Sequence, residues 1–290
     1  MRMRVLVAGG KGRLGRALSL AGGPAVQGLS RSDLDITEAS AFQAALERLR
    51  PDAVINAAIV GVDASDADPE RARLVNAIAP GHLAQACRRA GVPFIHISTD
   101  YVFGGEPDRL RRESDPVSPV NAYGRVKADG EAHVLDAGPG TCIARVAWLF
   151  GDRQDFIARL LQGGSDTVRV THDQVGSPTP ILAVAERLLD LAARMAAGDA
   201  IPPILHLAGS PAVSRADWVA TAFAAIEAAG RRAPTLRRVS MAEFGDAVAR
   251  PRYTALDGTL AGALFGGPLD WRPLTLRADT FCDEALPGRS

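Results

Sequence analysis

Cysteine is scarce in this chain: three in 290 residues, at positions 87, 142 and 282. An odd number at such wide spacing builds neither a disulfide framework nor a thiolate metal site. Buried thiols in a reducing compartment are expected instead. Net charge is missing too, since 33 basic residues balance 33 acidic ones. Nothing in that balance recruits nucleic acid or an acidic membrane surface. Arg109, Arg111 and Arg112 form the one tight basic cluster, and with acids beside them they read as a solvated loop. No apolar run approaches a membrane span, and the opening M-R-M-R-V-L-V-A-G-G is too short for a signal sequence. A cytoplasmic protein is expected. The five histidines (82, 96, 133, 172 and 206) show neither H-x-x-x-H nor H-x-H spacing, so no metal site is expected from them. Repeats and low-complexity tracts are lacking as well.

What is present is an alternation of short apolar runs with helical patterns. Strands are predicted at 3–8, 53–57, 94–97 and 142–148. Helices are predicted at 37–49 with Thr37 as N-cap, at 69–90 between Asp68-Pro69 and Gly91, and at 122–135. Such alternation implies βαβ units around a parallel sheet. The second half is less regular. It offers helices at 155–161, 181–197 and from Ser214 to about 229, with strands at 168–170 and 204–207. A boundary near residue 150 separates a first domain, 1–150, from a mixed region, 151–290, part of which is expected to fold back onto the first sheet.

Gly9, Gly12 and Gly15 follow the first strand and open a helix. The first glycine suits a tight turn, the second a close approach of a pyrophosphate, and the third close helix–strand packing. The helix N-terminus would face the phosphates. Alone this is a weak signal, and an ordinary βα turn is the competing reading. Past the next strand, Arg31 stands where a 2′-phosphate of NADP would be met, with Asp33 and Asp35 two and four residues on. NADPH is therefore favoured over NADH.

Tyr123 and Lys127 lie four apart in N-A-Y-G-R-V-K, on one face of a predicted helix. A cation beside a phenol favours the phenolate and makes the tyrosine a better proton shuttle. Ser98 and Thr99, at a strand end, supply hydroxyls that can hold a carbonyl oxygen for protonation. That combination suits a ketone reductase.

Taken together, G-G-K-G-R-L-G, N-A-A, H-I-S-T-D-Y-V-F-G-G, Y-G-R-V-K, D-Q-V-G-S-P-T and R-P-R-Y-T-A-L-D resemble the dTDP-4-dehydrorhamnose reductase family of extended short-chain dehydrogenase/reductases. The resemblance spans essentially the whole chain. It implies a Rossmann-type doubly wound α/β fold with a smaller mixed C-terminal substrate-binding region. It also implies Thr99, Tyr123 and Lys127 as the catalytic set. The cofactor-binding set expected is Gly9, Gly12, Arg13, Leu14, Gly15, Arg31, Asp35, Ile36, Asn56, Ala57, Ala58 and Ser98, with Tyr123 and Lys127. Asp100, Tyr101, Trp148 and Arg250 would meet a nucleotide-sugar substrate. The chain departs from the family after Asn56, where A-A-I-V-G-V-D is shorter and lacks the usual aromatic or histidine and the threonine. It also lacks a carboxylate near Ala17, so any homodimer is expected to need no bridging metal. Two alternatives stay open here. One is an NADP-binding, non-catalytic partner like the regulatory subunit of methionine adenosyltransferase. The other is a reductase or epimerase of another nucleotide sugar.

Overall fold

The computed structural model describes residues 3–106 and 108–276. Its centre is a six-stranded parallel sheet. β1 (Val5–Ala8) pairs with both β2 (Val26–Leu29) and β3 (Ala53–Asn56). β3 pairs with β4 (Phe94–Thr99), which pairs with β5 (Thr141–Val146). The last position beyond β5 is taken by Ile204–His206, a strand from the second half of the chain. Apart from β2, these strands are buried on both faces, as a parallel sheet between two helical layers requires. On one side α1 (Arg13–Gly22) and the helix Ile181–Ala197 pack over Val5, Val7, Ile55 and Ile95. On the other, α2 (Ala39–Leu49) and later helices cover Leu6, Val54 and Phe94.

The predicted helix 37–49 starts two residues late. Thr37 is not its N-cap, because its hydroxyl donates to Asp35 at 2.7 Å. The pattern at 69–90 is one helical run with a wide turn. α3 (Val62–Ala67) precedes it, α4 (Pro69–Arg73) opens it under an Asp68 cap, and α5 (Ala79–Ala90) ends at Gly91. Between α4 and α5, Leu74–Ile78 form a π turn. Pro80 explains it: without an N–H, it cannot bond the Asn76 carbonyl, and the helix accommodates the gap by widening. α6 (Ala122–Asp136) lies close enough that a Cβ on its Gly130 would come within 2.2 Å of that carbonyl. The strand predicted at 142–148 stops at Val146, because Trp148 takes a positive φ of 38° and leaves the sheet.

The remaining elements build a second, smaller core. Strands Thr167–Thr171 and Thr235–Val239 pair in parallel, and the helix Arg215–Ala228 packs against them through Trp218, Val219 and Phe223. Arg111 is not a solvated loop residue. Backbone bonds to Ala255 and Asp257 draw it inward until its guanidinium lies 5.7 Å from the Phe103 ring centroid. Arg109 and Arg112 stay exposed. Cys87 and Cys142 are buried free thiols, and burial raises both well above the ordinary thiol range. Cys282 lies outside the described residues.

Candidate active site

A cleft of about 820 Å³ opens at the carboxyl ends of the strands, between the sheet and the smaller core. One wall begins at the glycine turn. Gly9 has φ +82°, and a Cβ there would strike the Ala58 backbone at 2.7 Å. A Cβ on Gly15 would strike the Gly9 carbonyl at 2.3 Å, so α1 can sit tightly over β1 only with glycine there. Gly12 lines the cleft and is crowded only by Gly9 O at 3.1 Å, so a side chain there would occupy the cleft itself. Gly12 is the N-cap of α1, no side chain caps that terminus, and its first turn carries no acid. Free backbone donors, a positive dipole end and open space together fit a pyrophosphate.

Across the cleft, β4 delivers Ser98 and Thr99, the short turn that follows it delivers Asp100 and Tyr101, and the first turn of α6 delivers Tyr123. Asn121 fixes that turn, because its side chain accepts the Gly124 N–H at 2.8 Å. Tyr123 and Thr99 line the cleft together, and the Tyr123 ring meets Tyr101 edge-on at 5.9 Å. The Thr99 hydroxyl donates to Asp100 at 3.0 Å, and Asp100 also accepts from Thr254 at 2.6 Å. Burial raises the Asp100 carboxyl to about 6 despite those bonds. Ser98 Oγ and Trp148 Nε1, both on residues lining the cleft, are buried without a partner. Buried polar atoms are seldom left so. In a cleft wall they offer hydrogen bonds to a ligand.

Lys127 sits one turn behind Tyr123 and does not line the cleft. It is 1% exposed, and its Nζ lies 2.9 Å from His96 Nε2 and 2.7 Å from the Ile97 carbonyl. The expected lowering of the phenol by this cation does not hold here. Burial dominates there and pushes the Tyr123 phenol up, while it lowers Lys127 to about 7.

Trp148 is clamped in the other wall. Its indole lies where a Cβ on Gly176 would come within 2.3 Å, and the Arg215 guanidinium sits 3.8 Å from its ring centroid. Gly176 of the D-Q-V-G-S-P-T segment thus makes room for the tryptophan. Arg215 donates to Gln174 of the same segment at 2.9 Å. Arg159, Arg169 and Arg250 also line the cleft. Arg250 pairs with Asp246 at 2.7 Å and with Asp63 at 3.3 Å. No sequence motif announced Arg159, Arg169 or Arg215, because they stand on separate elements and only the fold gathers them.

The cleft brings together Gly12, Arg13, Leu14, Ala57, Ser98, Thr99, Asp100, Tyr101, Tyr123, Trp148 and Arg250. Arg13 is tied at the rim, donating to Asp152 at 2.8 Å and to Leu149 O. Gly9, Gly15, Asn56 and Ala58 support its floor from beneath. Arg31 is exposed beside the glycine turn and paired with Asp35 at 3.3 Å. Asp35 is also held by Thr37, and Ile36 is committed to the core. Asp33 is engaged by Ser30. The shortened segment after Asn56 forms a rim: Asn76 bonds both the N–H and the carbonyl of Val60, and Ile59 is left half-exposed over the cleft.

Comparison with known proteins gives this geometry a lineage. The model of the RmlD substrate binding domain matches residues 3–278. The dTDP-4-dehydrorhamnose reductase of Streptomyces griseus is 38% identical over 300 residues, covering 99% of this chain and 98% of that protein. A dTDP-4-keto-6-deoxy-D-glucose reductase of Streptomyces niveus is 36% identical over 265 residues, covering 88% of this chain and 89% of that one. The crystal structure of dTDP-4-dehydrorhamnose reductase from Bacillus anthracis in complex with NADP is similar at a TM-score of 0.85 and 27% identity, over 95% of this chain and 98% of that one. By sequence over nearly its full length and by architecture, this chain belongs to the dTDP-4-dehydrorhamnose reductase family.

Proposed function

We propose that the protein reduces the C4 keto group of a dTDP-activated 6-deoxy-4-ketohexose, dTDP-4-dehydrorhamnose or a close relative, with NADPH. The observation that carries this reading is the meeting of the Thr99 and Tyr123 hydroxyls in one cleft, between an uncapped glycine-turn helix and a cluster of arginines. Bound NADPH supplies the hydride. Its pyrophosphate fits the turn Gly9–Gly15, and Arg31 is the cation nearest in sequence to that turn's partner strand for a 2′-phosphate. The related structure that holds NADP supports the choice of cofactor.

Tyr123 then gives its phenolic proton to the C4 oxygen as the carbon is reduced. A raised phenol is fully protonated at neutral pH, as an acid in the reductive direction must be. Thr99 orients the oxygen with its hydroxyl, which leaves Asp100 to do so. Lys127 supports the tyrosine from behind. Arg215 and Arg250 suit the diphosphate, since a guanidinium matches phosphate oxygens two at a time. Trp148 walls the sugar. Any self-association would not share a cation through the helix Arg13–Gly22, which carries no carboxylate. A cytoplasmic location stays part of this reading. Among the described residues no helix is long and apolar enough to cross a membrane.

The decisive measurement is NADPH oxidation against a panel of dTDP-4-keto-6-deoxy sugars and their UDP counterparts, with the product's stereochemistry determined. Turnover with a dTDP sugar is expected. Tight dinucleotide binding with no consumption for any member would instead favour a non-catalytic partner role.

A further inference from the structure

His96 opens the H-I-S-T-D-Y-V-F-G-G segment but has no role in the function described so far, yet it is fully buried directly behind the active site. Its Nδ1 lies 3.2 Å from Asn56 Nδ2, and its Nε2 lies 2.9 Å from Lys127 Nζ. The donors in this chain can be assigned one by one. The Ala58 backbone N–H, which is only a donor, lies 3.2 Å from Asn56 Oδ1. The other end of that amide is therefore the NH2 group, and it donates to His96 Nδ1. A neutral imidazole that accepts at Nδ1 carries its proton on Nε2. That proton points at Lys127, whose Nζ also donates to the Ile97 carbonyl. An ammonium in this position would set two donors against each other. A neutral amine satisfies both contacts.

We propose that His96 is a positioning residue of the reductase, holding Lys127 as a neutral amine until ligands bind and tying the lysine's protonation to the Asn56–Ala58 turn beneath the cleft. The inference rests on the reading of Lys127 as the support of Tyr123. For the lysine to become an ammonium, Nζ takes one proton from solvent. The imidazole proton then moves from Nε2 to Nδ1, and the Asn56 amide turns so that its oxygen accepts it. That turn releases the Ala58 N–H. Ala58 packs under Gly9, and Ala57 lines the cleft, so occupancy of the dinucleotide end and the state of Lys127 are mechanically joined.

The other charged and titratable groups around Lys127 do not set this state alone. Glu131, one turn further along α6, favours the ammonium but is bound at both oxygens by Arg145 of β5. Tyr123 lies one turn earlier, and Asp100 lies beyond Tyr123. Burial acts on His96 in the same sense as its assignment here, keeping the ring neutral.

Nitrogen NMR on the cofactor-free protein with 15N-labelled histidine reads the tautomer without any turnover. His96 is expected with a pyridine-type Nδ1 and a pyrrole-type Nε2 at pH 8 to 9, above the lowered value of Lys127, and with the opposite pattern once NADPH is added. A pyrrole-type Nδ1 or a doubly protonated ring in the cofactor-free protein would overturn the proposal and leave the reductase reading intact. Kinetics give the second readout. His96→Gln offers Lys127 an acceptor in place of a donor, so the alkaline limb of the kcat/KM profile should move upward by about one pH unit. An unmoved limb in a variant that binds NADPH normally would equally refute the role. Absence of turnover by the wild-type protein, with the expected tautomer present, would sink the reductase reading instead.

Discussion

Replacing Tyr123 by phenylalanine deletes one oxygen and leaves the ring free to keep its contact with Tyr101. NADPH binding is expected to persist in this variant while kcat falls by about 10²- to 10⁴-fold, the usual worth of a positioned acid. Single-turnover NADPH oxidation checks it, and near-wild-type turnover would remove Tyr123 from the chemistry. Gly176 makes a second residue-scale prediction. Alanine there drives a methyl group into the Trp148 indole, so the tryptophan must leave its place over Arg215. KM for the sugar nucleotide should rise about tenfold, equivalent to about 1.4 kcal/mol, with a change in tryptophan fluorescence and little change in NADPH affinity. At this scale the sequence was partly legible. Tyr123, Lys127 and the glycines announce themselves because their spacing is local. His96 stands in a quoted motif, but its role was hidden, because a histidine inside an apolar strand reads as filler until the strand's neighbours are known.

Among the elements, α6 and β5 are joined by the pair Glu131–Arg145. Both side chains are almost wholly buried, at 5% and 2% exposure, with contacts of 2.7 and 2.9 Å. Glu131→Gln strands a buried guanidinium and should cost about 3–5 kcal/mol, read as a lower urea midpoint. The helix that carries Tyr123 is positioned by this pair, so activity should fall with stability in that variant. Most strands and helices of the first half were foreseen from apolar periodicity to within a few residues, but α3 was not. Other errors fell where a side chain or a proline intervened: Asp35 captured Thr37, Pro80 widened the long helix, and Trp148 ended β5 early. Of the arginines of the cleft, Arg250 was legible in its motif, but Arg159, Arg169 and Arg215 were invisible for a different reason. They come from the helix after Asp155, from the strand Thr167–Thr171 and from the helix capped by Ser214, and no local pattern relates them.

For the molecule as a whole, Lys127 leaves a signature in the dependence of stability on pH. Its unfolded value is near 10.5 and its folded value about 7, so between these limits the unfolded chain holds more protons. Stability must then rise with pH through that window, and the penalty is fully present below pH 7. The window from pH 7 to about 9 is cleanest, because the raised Tyr123 and the two buried thiols act in the opposite sense above it. Urea midpoints at pH 7, 8 and 9 should climb for the wild type and flatten for Lys127→Met. Parallel curves for the two proteins would show that the lysine is not buried in this way.

The sheet also constrains how the molecule can be divided. Its sixth strand, Ile204–His206, is donated by the later half and completes the edge beside β5. A fragment ending near residue 150 would carry a bare row of β5 amides and carbonyls, the kind of edge that recruits strands from other chains. The two halves are thus stitched rather than hinged. Substrate and dinucleotide must enter through the mouth of the cleft, and the protein has to be made, purified and evolved as a single piece.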